Sequence, residues 1–323
     1  MRILILHSDV AADAAADEQD TLITARAIEL ALSARGHAVT CAAFVADMPK
    51  LTALLRDAQA DIVFNMVESV HGEDILAAIA PALFEKLGVR YTGANATALS
   101  VTGDKPFAKA LMRHAGLPTA AWANGPDWNG LALDKSYIVK SATADASLGL
   151  DDDAVVRGAD VPARAAQSAQ KFGGRWFAEA YVAGREFNVS LLDDADGLRV
   201  LPIAEMRFVN WDEARPQIVG YAAKWDDSNT DSSNTVRAFG LEQSEPALHA
   251  ALEEAARGAW ALFGLSGYAR VDFRVTKDGL PMILEINPNP CLEPGAGFAA
   301  AAAQANIAYD DLVERIVLAA HRS

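Results

Sequence analysis

Asp272, Glu285 and Asn287 are the residues whose types and spacing could do chemistry together. Residues 268–275 (YARVDFRV) alternate strictly, so Tyr268, Arg270, Asp272 and Arg274 share one strand face, and Ala269, Val271, Phe273 and Val275 the other. Asp278-Gly279 is a strong two-residue hairpin signal, and residues 280–287 form the returning strand. Such a turn sets Lys277 opposite Leu280; counting outward places Asp272 opposite Glu285 and Arg270 opposite Asn287. Two carboxylates facing each other across a strand pair repel unless a cation lies between them. Asp, Glu and an Asn carbonyl are hard oxygen ligands suited to magnesium, which is usually shared with phosphate oxygens. Arg270 beside them suits an anion that develops during a reaction. The same spacing also fits a solvated face whose charges Arg270 and Arg274 balance, and spacing alone leaves both readings open.

The elements that must position this hairpin follow from apolar periodicity. Residues 3–6, 38–44, 61–67 and 89–92 read as strands, and residues 21–35, 51–59 and 74–87 as helices, with Gly36 and Gly88 as stops. This alternation implies a parallel sheet covered by helices, an α/β organisation. A second unit opens near Ala96, with a helix at 105–115, a strand at 136–140, a small polar loop at 141–149, a helix at 163–172 and a strand at 175–182. A third carries strands at 185–192 and 198–204 around a turn at 193–197, a helix at 245–263, the hairpin, and one terminal helix at 298–321. The polar stretch 226–235 (DDSNTDSSNT) is long enough to be a lid or a solvated excursion. The expected division is 1–95, 96–182 and 183–323.

The chain has 323 residues, 28 Lys plus Arg, 43 Asp plus Glu, and a net charge of −15. That balance argues against a nucleic-acid binder. It leaves a nucleotide substrate open, since a few placed lysines and magnesium supply positive charge locally. Two widely spaced cysteines, Cys41 and Cys291, point to a reducing compartment rather than a disulfide scaffold. The short apolar start does not fit a signal peptide, and no apolar run is long enough to span a membrane, so a soluble cytoplasmic protein is expected.

Arg270-x-Asp272 followed by Glu285-x-Asn287-x-x-Pro290 resembles the metal-binding end of the ATP-grasp ligases. Tyr91-Thr92-Gly93 through Asp104-Lys105, Ala115-Gly116-Leu117-Pro118, Ile138-Val139-Lys140, Gly184-x-Glu186-Phe187 and Lys224 match the D-alanine–D-alanine ligase branch in the same order. The resemblance covers nearly the whole chain. It implies an ATP-grasp fold of α+β subdomains behind a Rossmann-like N-terminal domain, and often a homodimer. It implies ATP and two magnesium ions, manganese being the alternative. Lys105 and Lys140 then match the lysines that hold ATP phosphates. Glu179, Tyr181 and Val182 match the hinge strand at adenine, Glu186 the ribose ligand, and Lys224 the lysine that reaches a phosphate from the lid. Asp272, Glu285 and Asn287 match the two-magnesium site, Arg270 the arginine that stabilises the tetrahedral intermediate, and Ser147 the remaining serine of a phosphate loop. The implied reaction is amide formation between amino acids through an acyl phosphate.

The substrate end departs from the family. The segment 8–20 lacks the glycine pair and glutamate of D-alanine ligases, with only Gln19 or Asp20 as a loose match. Ala146 stands for one serine of an adjacent pair, Trp225 for the lid tyrosine, and residues 291–297 (CLEPGAG) for a serine-containing loop. Backbone N–H groups at 295–297 are candidates for a substrate carboxylate and Glu293 for a substrate amine. These changes favour amino-acid or peptide substrates other than two D-alanines, with true D-alanine ligation as an alternative. A different ATP-grasp reaction or a non-catalytic nucleotide-binding module are further readings; the retained Arg270, Asp272, Glu285 and Asn287 argue against the module.

Overall fold

Strands β1 (Arg2–His7), β2 (Ala38–Ala43) and β3 (Ile62–Met66) form a parallel sheet in the order β2-β1-β3. The structure is a computed structural model describing every residue except Ala12, Ala15, Ala195, Asp196, Asp227 and Ser323. The segment 8–20, the turn at 193–197 and the polar stretch 226–235 therefore each include residues outside the described set. β1 reads as an unbroken apolar run because both its faces are covered. Leu4 and Leu6 pack with Phe44, Val63 and Phe84 on one side; Ile3 and Ile5 pack with Ile62 and Phe64 on the other. Helices α1 (Ala16–Ala34), α2 (Met48–Ala58) and α3 (Ile79–Leu87) supply the cover, the last preceded by a 3-10 turn at Asp74–Ala78. Among the described residues no helix is long and apolar enough to cross a membrane.

The strand expected at 89–92 is a single parallel bridge, Val63 to Tyr91. Gly93 turns the chain away just beyond it, at φ +88°, and a Cβ there would lie 2.1 Å from the Asn289 side-chain oxygen. That oxygen accepts the Ala94 N–H at 2.9 Å. Only glycine permits the close approach, and it ties this turn to the end of the 268–288 hairpin. Helix α4 (Ala96–Thr102), absent from the sequence reading, follows under an Asn95 cap.

Helix α5 (Lys105–His114) is capped by Asp104, whose carboxylate accepts the Phe107 N–H. Strands β4 (Trp122–Asn124), β5 (Ser136–Ser141), β6 (Val155–Arg157) and β7 (Trp176–Ala180) make an antiparallel sheet in the order β4-β7-β5-β6. Helix α6 (Val161–Phe172), with Pro162 in its first turn, packs on one face through Val161 and Ala165.

The third sheet contains β8 (Arg185–Asp194), β9 (Gly197–Val200), β10 (Ala204–Phe208), β11 (Thr235–Ala238), β12 (Tyr268–Val275) and β13 (Pro281–Pro288). Its order is β11-β10-β8-β12-β13, with β9 paired to β8. The expected strand at 198–204 is split, because Pro202 lacks the N–H a continuing ladder needs. Helix α7 (Tyr221–Trp225) precedes the polar stretch, and α8 (Thr230–Asn234), under an Asn229 cap, lies within it ahead of β11. Helices α9 (Leu241–Ser244) and α10 (Pro246–Phe263) follow; Leu252, Ala256 and Ala259 of α10 cover Phe187, Val271 and Phe273.

The expected single terminal helix is two, α11 (Gly297–Gln304) and α12 (Tyr309–Arg322). Asn306 takes a left-handed conformation (φ 59°), and the Ile307 N–H returns to the Ala302 carbonyl, closing a helix terminus with buried Ile307 as its apolar contact. α12 then carries Ile316 and Val317 onto the first sheet's core.

The hairpin reaches the expected pairing by another path. Thr276, not Lys277, closes on Leu280, because Gly279 (φ +80°) makes a three-residue turn. Val275 therefore pairs with Pro281 and Phe273 with Ile283. A bulge at Leu284 then shifts the register back by one, so Asp272 faces Glu285 and Arg270 faces Asn287.

Candidate active site

On the polar face of β12, both oxygens of Asp272 are engaged. Arg270 donates to them through Nε at 2.7 Å and Nη2 at 2.8 Å. Asn188 of β8, directly opposite Asp272, donates to Oδ1 at 2.7 Å, and Asn287 donates to Oδ2 at 3.0 Å. Asn188 was missed in the sequence, since β8 becomes the neighbour of β12 only in the sheet. Asn287 uses its Nδ2 in this contact, which leaves its Oδ1 for a cation.

Glu285 is different. Its carboxylate accepts no hydrogen bond from the described residues. Burial pushes its pKa up, but Lys105, Lys140, Lys224 and Arg270 outweigh burial and hold the carboxyl well below its ordinary range. Four elements thus send positive charge toward one oxygen pair: α5, β5, α7 and β12.

Lys105 sits at the first position of α5 and is nearly buried; its Nζ donates to the Ala144 carbonyl at 2.9 Å and to Asp145 at 2.6 Å. Lys140, on β5, pairs with Glu179 at 2.9 Å. The other Glu179 oxygen pairs with Lys109 at 2.5 Å, and both Lys109 and Glu179 are 1% exposed. Burial lowers the Lys109 pKa, with Glu179 working against it. The sequence reading missed Lys109. Its signal was the i, i+4 spacing from Lys105, on a helix face shared with Ala108 and Met112. Glu179 thus anchors both lysines from β7.

Beyond β7, Tyr181 donates its N–H to the Ser136 carbonyl, and its hydroxyl lies 3.4 Å from the Gln217 carbonyl; half-buried Val182 follows. Glu186 pairs at 2.9 Å with Arg274, its neighbour across β8 and β12. Arg274 also donates to the carbonyls of Gly184 and Gln217, so it joins the 181–186 segment to the 217–225 segment.

The loop 141–149 and the segment leading into α7 are bound together above the lysines. Ser147 donates to the Val219 carbonyl at 3.1 Å, the Trp225 indole to the Ala146 carbonyl at 3.2 Å, and the Tyr221 N–H to the Leu150 carbonyl at 3.1 Å. Ala146 and Ser147 both have positive φ, 55° and 62°. Lys224 rides on α7 beside Trp225.

The substrate end is built from distant segments. The Cys291 thiol donates to Asp20 at 3.1 Å; burial and Asp20 push its pKa up to about 12, so it is a packed thiol rather than a nucleophile. Glu68, just past β3, keeps an exposed edge and accepts a hydrogen bond from Thr21 at 2.8 Å. Enclosure by surrounding protein raises its pKa to about 7, with Asp20, Asp74 and Asp145 adding to the shift. The sequence reading overlooked Glu68.

Two of the three N–H groups expected to meet a substrate carboxylate, and the carboxylate expected to meet a substrate amine, are engaged inside the 291–297 turn. The Glu293 carboxylate accepts the Gly295 N–H at 2.7 Å, and its carbonyl accepts the Ala296 N–H at 2.8 Å. These backbone donors are therefore used inside the turn, and so is the carboxylate assigned to a substrate amine. The turn is short enough for its own glutamate to reach back over it.

Three sheets, a hairpin of hard oxygen ligands and a ring of lysines define an ATP-grasp ligase fold. A D-alanine–D-alanine ligase of Bacillus anthracis, solved in complex with ATP, superposes with a TM-score of 0.76 at 20% identity, covering 100% of this chain and 98% of that one. The profile described as "D-ala D-ala ligase C-terminus" matches residues 130–318. A D-alanine–D-alanine ligase of an Anaeromyxobacter species is 31% identical over 93% of this chain and 92% of its own length. One from Moorella thermoacetica is 29% identical over 93% and 94%. The chain belongs to the D-alanine–D-alanine ligase family, whose members are ATP-dependent ligases forming C–N bonds.

Proposed function

We propose that this protein joins the carboxylate of one amino acid to the amine of another, using ATP and releasing ADP and phosphate. The observation that carries the reading is the Glu285 carboxylate, without a hydrogen bond among the described residues and ringed by Lys105, Lys140, Lys224 and Arg270 beside Asp272. Such a ring suits a polyphosphate and the cation that accompanies it. Lys105, Lys140 and Lys224 hold the phosphates, with Ser147 at their edge. Tyr181 and Val182 line the adenine side and Glu186 serves the ribose; the side chain of Glu179, expected there too, is instead buried and held by Lys109 and Lys140, so it supports the phosphate lysine from behind.

Asp272, Glu285 and the free Oδ1 of Asn287 fit magnesium in type and placement: hard oxygens on one sheet face, with coordination to be completed by phosphate and water. Bound there, two magnesium ions, or manganese in their place, would neutralise charge on the transferring phosphoryl group. The donor carboxylate attacks the γ-phosphorus of ATP, and ADP leaves. The acceptor amine then attacks the acyl carbon of the acyl phosphate, Arg270 steadies the oxyanion, and phosphate departs as the amide forms. The loop 141–149, held by Ser147 to the segment before α7 and by Trp225 to α7 itself, excludes water that would hydrolyse the acyl phosphate.

D-alanine is the substrate named by the relatives and the first to test. Ligation of other amino acids is the second reading, favoured by Ala146 and by the closed 291–297 turn. We also infer three domains, at 1–95, 96–182 and 183–323, one per sheet, and a cytoplasmic homodimer acting on small molecules rather than on nucleic acid or membranes.

The test is incubation with magnesium–ATP and either D-alanine or pooled amino acids, reading ADP, phosphate, AMP and new peptides. Amino-acid-dependent ADP and phosphate, abolished by a chelator, support the reading. AMP and pyrophosphate rule out the acyl-phosphate route, and no turnover with any carboxylate rules out the ligase.

A further inference from the structure

Lys109 and Lys140 reach the same buried carboxylate, yet they are held there differently. Lys109 is 1% exposed. Its Nζ donates to the Thr119 hydroxyl at 2.7 Å and to Glu179, and lies 3.5 Å from the Ile283 carbonyl. The Thr119 hydroxyl donates in turn to that carbonyl at 2.9 Å, where Thr119 and Ile283 form an isolated bridge. Lys109 therefore ties α5 to β7 and to β13, just short of Glu285.

Lys140 has fewer ties. Its one hydrogen bond among the described residues runs to the second Glu179 oxygen at 2.9 Å, and its side chain is 12% exposed. Its charge also reaches Glu285, whose carboxyl pKa it lowers together with Lys105. Of the two cations, Lys109 acts the more strongly on Glu179. The trio carries two positive charges against one negative charge, so one cation is in excess. That cation can meet an anion elsewhere without leaving a buried carboxylate unmatched. With Lys109 removed the balance is one to one. Lys140 then has to stay with Glu179, because an unpaired carboxylate at that depth is costly.

We propose that Lys109 is a positioning residue for nucleotide binding: as the permanent counterion of Glu179, it releases Lys140 to turn from that carboxylate to a phosphate of ATP. This rests on the assignment of Lys140 to ATP phosphates above and adds how that lysine is made available. Lys109 itself touches no nucleotide. The exchange is one of ion pairs, with no covalent bond made or broken and no proton moved.

The experiment measures binding by calorimetry, with magnesium and the non-hydrolysable ATP analogue AMP-PNP and separately with adenosine, which offers Lys140 no phosphate. In Lys109→Met the affinity for the analogue is expected to fall about tenfold or more, the scale of one charge-assisted pair, with adenosine affinity unchanged. In Glu179→Gln no carboxylate holds Lys140 back, so adding Lys109→Met there should leave analogue binding as it is. That double variant also lacks the under-compensated buried charge that destabilises Lys109→Met. Equal losses for the analogue and adenosine, or the same loss in the Glu179→Gln background, overturn the proposal and leave Lys109 a structural tie. A second measurement uses the native protein labelled with 15N-lysine. The Nζ signal absent from Lys140→Arg should shift when the analogue is added, while the one absent from Lys109→Arg stays. Both moving together, or neither moving, overturns the exchange. Analogue binding without these signatures overturns this inference alone; a native protein that binds no analogue overturns the nucleotide reading and the inference with it.

Discussion

Asp272 and Glu285 face each other across β12 and β13, yet their carboxylates are neutralised in opposite ways. Asp272 is saturated by hydrogen bonds from Arg270, Asn188 and Asn287, whereas Glu285 accepts none from the described residues and is held by surrounding charge. One carboxylate is positioned rigidly and the other stands open, an arrangement that supports the proposed binding of a cation and phosphates.

Asp272→Asn keeps the size of the side chain and removes its charge. Turnover is expected to fall by about a hundredfold or more, the scale of losing one electrostatic stabiliser in a closed site. Stability should fall by only about 1–3 kcal/mol, because Arg270 loses its partner but keeps solvent access. Steady-state kinetics beside urea unfolding checks this; comparable losses in both would make Asp272 a structural residue.

Lys109→Met should act the other way. It leaves Glu179 buried with Lys140 alone, which is expected to cost about 3–5 kcal/mol of stability. Adding Glu179→Gln should recover part of it. A double-mutant cycle by chemical denaturation measures the coupling, and strictly additive effects would show that the pair does not act as a unit.

Glu68 predicts a pH dependence. Its carboxyl is raised from an ordinary 4.5 to about 7. Between those values the folded chain holds a proton that the unfolded chain has released, so stability falls as pH rises through this window. Relative to Glu68→Gln, the native protein should lose stability between pH 5 and pH 8, by an amount moderated by water at its exposed edge. Denaturation midpoints of both proteins at the two pH values check the sign, and parallel midpoints would contradict it.

Trp225→Phe removes the indole N–H that holds α7 to the Ala146 carbonyl. The loop then opens more often, and water reaches the acyl phosphate. ADP release without amide formation should rise about threefold to tenfold, the equivalent of one lost hydrogen bond. The ratio of ADP to peptide is the measurement; a ratio equal to that of the native protein would detach Trp225 from water exclusion.

The sequence by itself determined what is local. Strict alternation over 268–275 set which residues share the polar side, and the burial of Ala269, Val271, Phe273 and Val275 agrees with it. It also placed Asp272 opposite Glu285, although by two compensating offsets: a three-residue turn at Gly279 and a bulge at Leu284. A turn signal reports only its own few residues, while a bulge answers to the strand packed alongside. Helix ends marked by Gly36 and Gly88 were legible for the same reason, and the left-handed Asn306 was not, because asparagine adopts that conformation only where context favours it. Tertiary structure alone decided the rest. Lys109 meets Glu179 across 70 residues, Asn188 reaches Asp272 across 84, and Cys291 reaches Asp20 across 271. Periodicity carries information over the few residues that share a face, whereas which charge remains unmatched depends on what every other segment brings within reach.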